Sequence, residues 1–540
     1  MNTKKQIKFG AILSYISIAV NILAGLIYTP WMIRQIGQSQ YGLYTLANSL
    51  IALFLVDFGL SSATARYVSK YRAEGDQQKV NNFLGVIYKL YLIIDAIIFI
   101  VLLVIFLLIE QIYVNLTPAE LEQFKVVYVI AAFFAIFNFP FVTQNGILTA
   151  YEKFVPLKLA DLIYRFLLVG LTIVALILGY GLYALVTVHA IVGLIIIVFK
   201  FIVVKKDVPI KANFKYKDKT LYKDIFKFSI WSTVALFAQR LVFNITPTVL
   251  GITASAAAIG VFGVVVAIEG YSYTITTAIN GLFMPKISRV YADMEKNGED
   301  EEAAGKNLAP LLLGVGKFQF ALNGLIIVGF AVVGKLFINL WVGPDYADAY
   351  YGILLVIVPG MFFNSLQIAN TTMVVRNKVK LQAIINVATG ITNIILSFIL
   401  SYFWGVVGAC ISISVAYSIR AILTNIVAQK SLKFNIIQFA KSCYIRMSIP
   451  LIFSLAIGIL MNYFFVGSNI WALLIKAVII ATCYLAFVFV FGLNKQEKRK
   501  VLKRFKIVKW NKKISPIIGL SLFGATVSLF LLIGVLVICL

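Results

Sequence analysis

The chain has 540 residues, of which 61% are hydrophobic and only 13% charged, about half the charged fraction of a soluble globular protein. The formal net charge is nonetheless +26, from 48 Lys+Arg against 22 Asp+Glu. That is too little charge to cover several soluble domains, which excludes an ordinary cytosolic enzyme, a secreted disulfide scaffold, a disordered chain and a nucleic-acid-binding protein. What remains is a membrane protein with its basic residues gathered on one side.

Lys4, Lys5 and Lys8 precede the first apolar run. That run is too long for a signal peptide and lacks a small-residue cleavage site, so it reads as an uncleaved membrane helix. A span needs about 20 mostly apolar residues, and fifteen segments meet that length: 9–33, 41–60, 83–109, 124–148, 157–178, 181–203, 228–250, 255–283, 308–340, 349–374, 381–402, 405–428, 447–466, 470–493 and 516–540. None alternates as barrel strands do, so the expected class is all-α and polytopic. With the N-terminus cytoplasmic, the connections on that side hold 39 of the 48 basic residues, counting the flanking Lys158 and Lys200, while the opposite connections hold only Arg34 and Lys125. Cys410, Cys443, Cys483 and Cys539 are scattered without a CxxC pair and read as small buried hydrophobes.

The chain also repeats itself. Lys335-Leu-Phe-Ile-Asn-Leu340 echoes Gln111-Ile-Tyr-Val-Asn-Leu116, Gly405 aligns with Gly181, Asn377-Lys378 with Glu152-Lys153, and Ile259-Gly-Val-Phe262 with Tyr41-Gly-Leu-Tyr44. Four matches in order at nearly one offset predict two six-helix lobes, 1–227 (with a basic linker) and 228–430, a transporter design with the substrate between repeats. Segments 431–493 add helices thirteen and fourteen. Residues 494–515, in which Val501, Leu502, Phe505, Val508 and Trp510 recur among Lys and Arg, predict an interfacial helix on anionic headgroups, and 516–540 a fifteenth span. Residues 61–82 carry a similar mixed pattern.

Four short motifs carry a family resemblance: Ile36-Gly37 with Gln40-Tyr41-Gly42-Leu43-Tyr44; Val56-Asp57-Phe58-Gly59-Leu60 running on to Arg66-Tyr67 and Tyr71; Pro285-Lys286-Ile287-Ser288; and Leu340-Trp341-Val342-Gly343-Pro344-Asp345-Tyr346. In this order, over roughly residues 8–430, the chain resembles the polysaccharide transporter (Wzx-type) branch of the multidrug/oligosaccharidyl-lipid/polysaccharide exporter superfamily. The resemblance implies two six-helix lobes around a central cavity, as in the superfamily's multidrug antiporters (MATE) and lipid II-type flippases (MurJ), and flipping of lipid-linked oligosaccharides by alternating access. Through their motif positions it also implies gating or structural roles for Asp57 and Arg66.

Ionisable residues inside membrane helices are functional candidates by default. Arg240 lies 12 residues into its segment, about 18 Å deep, where a guanidinium suits a phosphate; its structural alternative is an ion pair with Glu269. Asp161 and Arg165, four apart on one helical face, are expected to pair or to line the cavity. Lys317 is a third cation there. Glu269 and Asp95 are candidates for a coupling ion or proton. Lys335 and Lys476 lie near helix ends and are expected to snorkel, Lys89 and Arg420 less clearly so, and the lone His189 reads as a packing residue. No P-loop, HExxH motif or histidine cluster is present, so no catalytic site, metal or cofactor is expected. The expected function is a bacterial plasma-membrane flippase for an undecaprenyl-diphosphate-linked oligosaccharide, with a peptidoglycan-precursor flippase or a multidrug/cation antiporter as alternatives. The expected partners are that substrate, anionic headgroups at the cytoplasmic face and glycan-assembly enzymes.

Overall fold

A computed structural model describes residues 3–278, 280, 283–298 and 300–504. The predicted span 516–540, and the basic stretch beyond Arg504, lie outside the described residues. Among those described, every regular element is helical. Among the described residues, twelve helical stretches are long and apolar enough to cross a bilayer.

The first nine elements run α1 (Thr3–Ile36), α2 (Gln38–Phe54), α3 (Leu60–Ala73), α4 (Gln77–Ile112), α5 (Pro118–Asn138), α6 (Thr143–Ala150), α7 (Phe154–Ile177), α8 (Gly181–Asp207) and α9 (Lys219–Phe243). The starts follow local chemistry. The Asp76 carboxylate accepts from the Lys79 amide at 2.8 Å at the head of α4, and Thr117 and Glu120 form a reciprocal capping box with Pro118 in the first turn of α5. The predicted span 41–60 ends earlier, at Phe54, because Phe58 and Gly59 both adopt positive φ and a new helix begins at Leu60. The predicted span 124–148 begins earlier, at Pro118, and breaks at Pro140 into a 3₁₀ turn, Phe139–Val142, before α6.

The chain continues through α10 (Thr246–Thr253), α11 (Ala256–Thr277), α12 (Met284–Asn297), the 41-residue α13 (Glu301–Trp341), α14 (Ala347–Asn364), α15 (Gln367–Val375) and α16 (Val379–Ser431). Non-helical angles at Gly405 divide α16 into two helices, so the predicted spans 381–402 and 405–428 are both present. Last come α17 (Ile436–Phe439), α18 (Arg446–Phe464), α19 (Ile470–Phe487) and α20 (Lys495–Arg504), with π-helical turns at Ala440–Ile445 and Val488–Gly492.

By contact the chain forms two compact units. The first joins the described residues up to 264 to 379–413; the second joins 265–378 to the described residues beyond 413. In the first unit α4 is peripheral: Leu92, Ile93, Ile97, Ile100, Leu103 and Leu107 on its flank are exposed, as a lipid-facing surface requires. The linker after α8 is clasped onto α4 by the Asn213 amide donating to the Asn81 carbonyl at 2.9 Å, Lys89 Nζ to the Tyr216 carbonyl at 2.9 Å and Gln77 to the Pro209 carbonyl at 2.6 Å. Lys89 is thus anchored by the linker.

The repeat is written into the backbone. Glu152 and Asn377 both sit at φ 55°, and Gly181 and Gly405 at 57° and 52°, so two of the four sequence matches share a left-handed conformation that side chains disfavour. A third match is a packing contact: Gly42 and Gly260 let α2 lie against the start of α11, where a Cβ on Gly42 would stand 1.9 Å from the Ala256 carbonyl oxygen and one on Gly260 2.5 Å from that of Gln38. Gly42→Ala should therefore cost about 1–3 kcal/mol and lower the thermal midpoint in detergent, read by intrinsic fluorescence. Gly170→Ala, on α7 with open space at its Cβ, should leave the midpoint unchanged or raise it; equal losses for the two would contradict the close approach.

Candidate functional site

Three helices of the first unit turn a polar stripe toward one cavity of about 570 Å³, with α5 and α6 closing the rest of its wall. On α1 the stripe is Ser14, Ser17 and Asn21; on α7 it is Lys158, Asp161 and Arg165; on α8 Gly193 and Lys200 line it. These are helical i, i+3, i+4 and i+7 spacings, so each set shares a face. Gln144 and Asn145 add amides from α6. A Cβ on Gly193 would collide with the Phe134 ring at 2.0 Å, so this glycine seats an aromatic wall. The volume lies within the roughly 300–1,000 Å³ of small-molecule sites. Lys158 stands four residues inside α7 and Arg165 eleven, about 6 and 16 Å from its start. The cavity therefore runs from one end of the bundle well into the span.

The ion pair expected between Asp161 and Arg165 is replaced. Asp161 pairs with Lys158 at 3.1 Å, whereas Arg165 Nη2 donates to the Asn21 carbonyl at 3.2 Å and Lys200 Nζ to Asn145 Oδ1 at 2.9 Å. The Lys158 and Asp161 side chains are 34% and 47% exposed, and an i,i+3 pair of that kind contributes only about 0.2–0.5 kcal/mol. Ser17 Oγ, Gln144 Oε1 and Arg165 Nε, on residues that line the cavity, are buried without a hydrogen-bond partner, which leaves polar capacity unused in its wall. With three cations to one carboxylate, the lining favours an anion.

The other predicted residues are engaged elsewhere. Arg240 Nη1 donates to the Ala52 carbonyl, in the last turn of α2, where helix carbonyls lack partners. Asp57 accepts from the Tyr91 hydroxyl at 2.5 Å and the Ser61 amide at 3.1 Å, holding the start of α3. Arg66 stands exposed on α3. Asp95 lies midway along α4 with one buried carboxylate oxygen unpartnered. His189 Nδ1 meets the Tyr44 hydroxyl at 3.1 Å between the Tyr44 and Tyr164 rings.

In the second unit Glu269 is buried and accepts from the Tyr417 hydroxyl at 3.1 Å. Arg420, also buried, lies 4.1 Å from the Phe363 ring centroid. Ser272 and Thr276, on the same face of α11 as Glu269, both reach Asn323 Oδ1 at 3.3 Å. Lys317 is buried and paired at 2.8 Å with Glu497, whose other oxygen accepts from the Asn494 amide. The predicted cavity cation is thus a tether between α13 and the head of α20. Lys335 lies over the Tyr350 and Tyr351 rings, and Lys476 donates to Asn462 Oδ1 at 2.9 Å.

Sequence reasoning counted Lys158 and Lys200 only as orientation charges and passed over Ser14, Ser17 and Asn21. The signal available was polar spacing at i, i+3 and i+7 along an otherwise apolar first helix.

A helical bundle with two units, an internal repeat and a polar cavity at membrane depth defines a polytopic transporter. The sequence profile of the family described as "Polysaccharide biosynthesis protein" matches residues 8–291, more than half of the chain. The chain belongs to that family, the polysaccharide-transporter branch of the multidrug/oligosaccharidyl-lipid/polysaccharide exporter superfamily. It is 22% identical over 503 residues to the uncharacterized membrane protein EpsK of Bacillus subtilis (strain 168), covering 89% of this chain and 94% of EpsK. Its fold is similar to that of the lipid II flippase MurJ in an inward closed conformation, with TM-score 0.66, 16% identity and coverage of 91% of this chain and 98% of that one. It is similar too to an inward-facing multidrug resistance MATE family transporter, with TM-score 0.64, 14% identity and coverage of 77% and 94%.

The Lys317–Glu497 pair yields a prediction. Burial pushes the Glu497 carboxyl up, but the Asn494 amide and the Lys317 ammonium outweigh it and hold the group below the ordinary glutamate range. A carboxylate lowered on folding contributes stability above its unfolded value of about 4.3 and loses it as pH falls through the folded one. Glu497→Gln should cost roughly 1–2 kcal/mol at pH 7, less than a fully buried pair because Glu497 is 30% exposed. The gap from wild type, read as thermal midpoint, should close below about pH 4. Lys317→Met, which removes the buried cation itself, should cost less; a larger loss would contradict the tether.

Proposed function

We propose that this protein is a flippase that carries an undecaprenyl-diphosphate-linked oligosaccharide across the bacterial plasma membrane by alternating access. The observation that carries this reading is the cation-lined cavity inside a membrane-spanning unit of a polysaccharide-biosynthesis family member. A diphosphate needs cations away from bulk water, and its glycan needs hydroxyl and amide partners; the cavity offers both, while the lipid tail remains in the bilayer. In this reading Arg165, which lines the cavity, meets the headgroup. Arg240 and Lys317 hold helices in position. Glu269 and Asp95 are retained as coupling candidates. The cationic lining disfavours an organic-cation antiporter, and the family favours a polysaccharide intermediate over a peptidoglycan precursor.

The shared backbone at Glu152 and Asn377 and at Gly181 and Gly405 supports the division into repeats 1–227 and 228–430. In this reading the N-terminus and the basic connections face the cytoplasm, with the start of α20 on anionic headgroups and glycan-assembly enzymes supplying substrate on that side. Deletion of the gene should cause lipid-linked oligosaccharide to accumulate on the inner leaflet, scored by its resistance to a membrane-impermeant oxidant in intact spheroplasts. Unchanged amount and sidedness would overturn the proposal.

A further inference from the structure

We propose that the cavity of the first unit is a diphosphate subsite gripped by Lys158, Arg165 and Lys200, in which Asp161 occupies the anion's place until substrate arrives. This rests on the flippase reading and deepens it. The four charged groups come from two adjacent helices, α7 and α8, and all line the one cavity. Asp161 already holds one of the three cations, Lys158, and does so through a half-exposed contact. The other two cations rest on neutral acceptors, the Asn21 carbonyl and the Asn145 side chain, which an incoming phosphate oxygen displaces with a gain of charge complementarity. Arg165 Nε is buried and unpartnered, so the guanidinium keeps an unused donor beside the one given to Asn21, and a small side-chain movement would bring it to a phosphate as a bidentate partner. Ser17 and Gln144, also unpartnered, supply neutral donors and acceptors beside the charged groups.

The Asp161 carboxylate gives the site its switch-like character. In the empty protein it neutralises Lys158, which lowers the cost of keeping a cation cluster inside the bundle. When a dianionic headgroup enters, Lys158 transfers to the phosphate and Asp161 is left repelled by it, so loaded and empty states differ in which anion Lys158 holds. Removing the carboxylate should therefore strengthen binding, whereas a merely structural pair would leave affinity unchanged or weaken it.

The test is binding of farnesyl diphosphate to the full-length protein in detergent by isothermal titration, with farnesyl monophosphate, farnesol and inorganic diphosphate as comparison probes. Farnesyl diphosphate should bind at least tenfold more tightly than the monophosphate, and farnesol should not compete. Competition by inorganic diphosphate would locate recognition in the phosphates; its failure to compete would overturn a phosphate subsite. Lys158→Gln and Lys200→Gln should each weaken farnesyl diphosphate binding about tenfold, with Lys→Arg versions restoring it. Asp161→Asn should strengthen it several-fold and Lys335→Gln, outside the cavity, should change nothing. If the Lys→Gln proteins do not fold, the sign of the Asp161→Asn effect decides: weaker or unchanged binding overturns the proposal. Transport of lipid-linked glycan that survives loss of both lysines would sink this subsite and leave the flippase reading standing. Tight, lysine-dependent binding in a protein whose deletion leaves glycan sidedness unchanged would do the reverse.

Discussion

Inside a bilayer a polar group that finds no partner costs several kcal/mol, because no water is present to replace it. Most features of this chain follow from that constraint. Helices broken within the bundle end in carbonyls that have lost their intrahelical donors, and cations answer them: Arg240 at Ala52 near the end of α2, Arg72 at Ala150 closing α6, and Lys378 at Ser431 closing α16. Asp57 performs the converse task for an amide at the start of α3. Cations beside helix ends are therefore first a repair device for interrupted helices. The groups gathered around the cavity of the first unit stand out because their present partners are weak or neutral.

This explains which parts of the structure were legible in the sequence. The spans were legible because length and hydropathy alone define them, and two of the four repeat matches, Glu152 with Asn377 and Gly181 with Gly405, fall on turns that share a positive φ. Helix ends were less so. The interruption at Phe58 and Gly59 and the 3₁₀ turn at Pro140 fall inside continuous apolar runs, where hydropathy gives no signal of a break.

The candidate site was half legible. Spacing put Asp161 and Arg165 on one helical face, and both line the cavity without pairing with each other; Arg240 and Lys317, singled out as cations inside the spans, have as partners a carbonyl and a carboxylate distant in sequence. Lys158 and Lys200 read as orientation charges because they flank basic connections at the ends of their apolar segments. Only the packing of α1, α7 and α8 reveals that both face a common space.

In the proposed mechanism, transport through this bundle requires the headgroup to bind in the cavity of the first unit. The most direct measurement is a structure of the full-length protein in lipid nanodiscs loaded with undecaprenyl diphosphate. Phosphate density is expected in contact with Arg165 and Lys200, with Lys158 moved from Asp161 onto the phosphate. Headgroup density elsewhere, with the Lys158–Asp161 pair intact and this cavity empty, would contradict it.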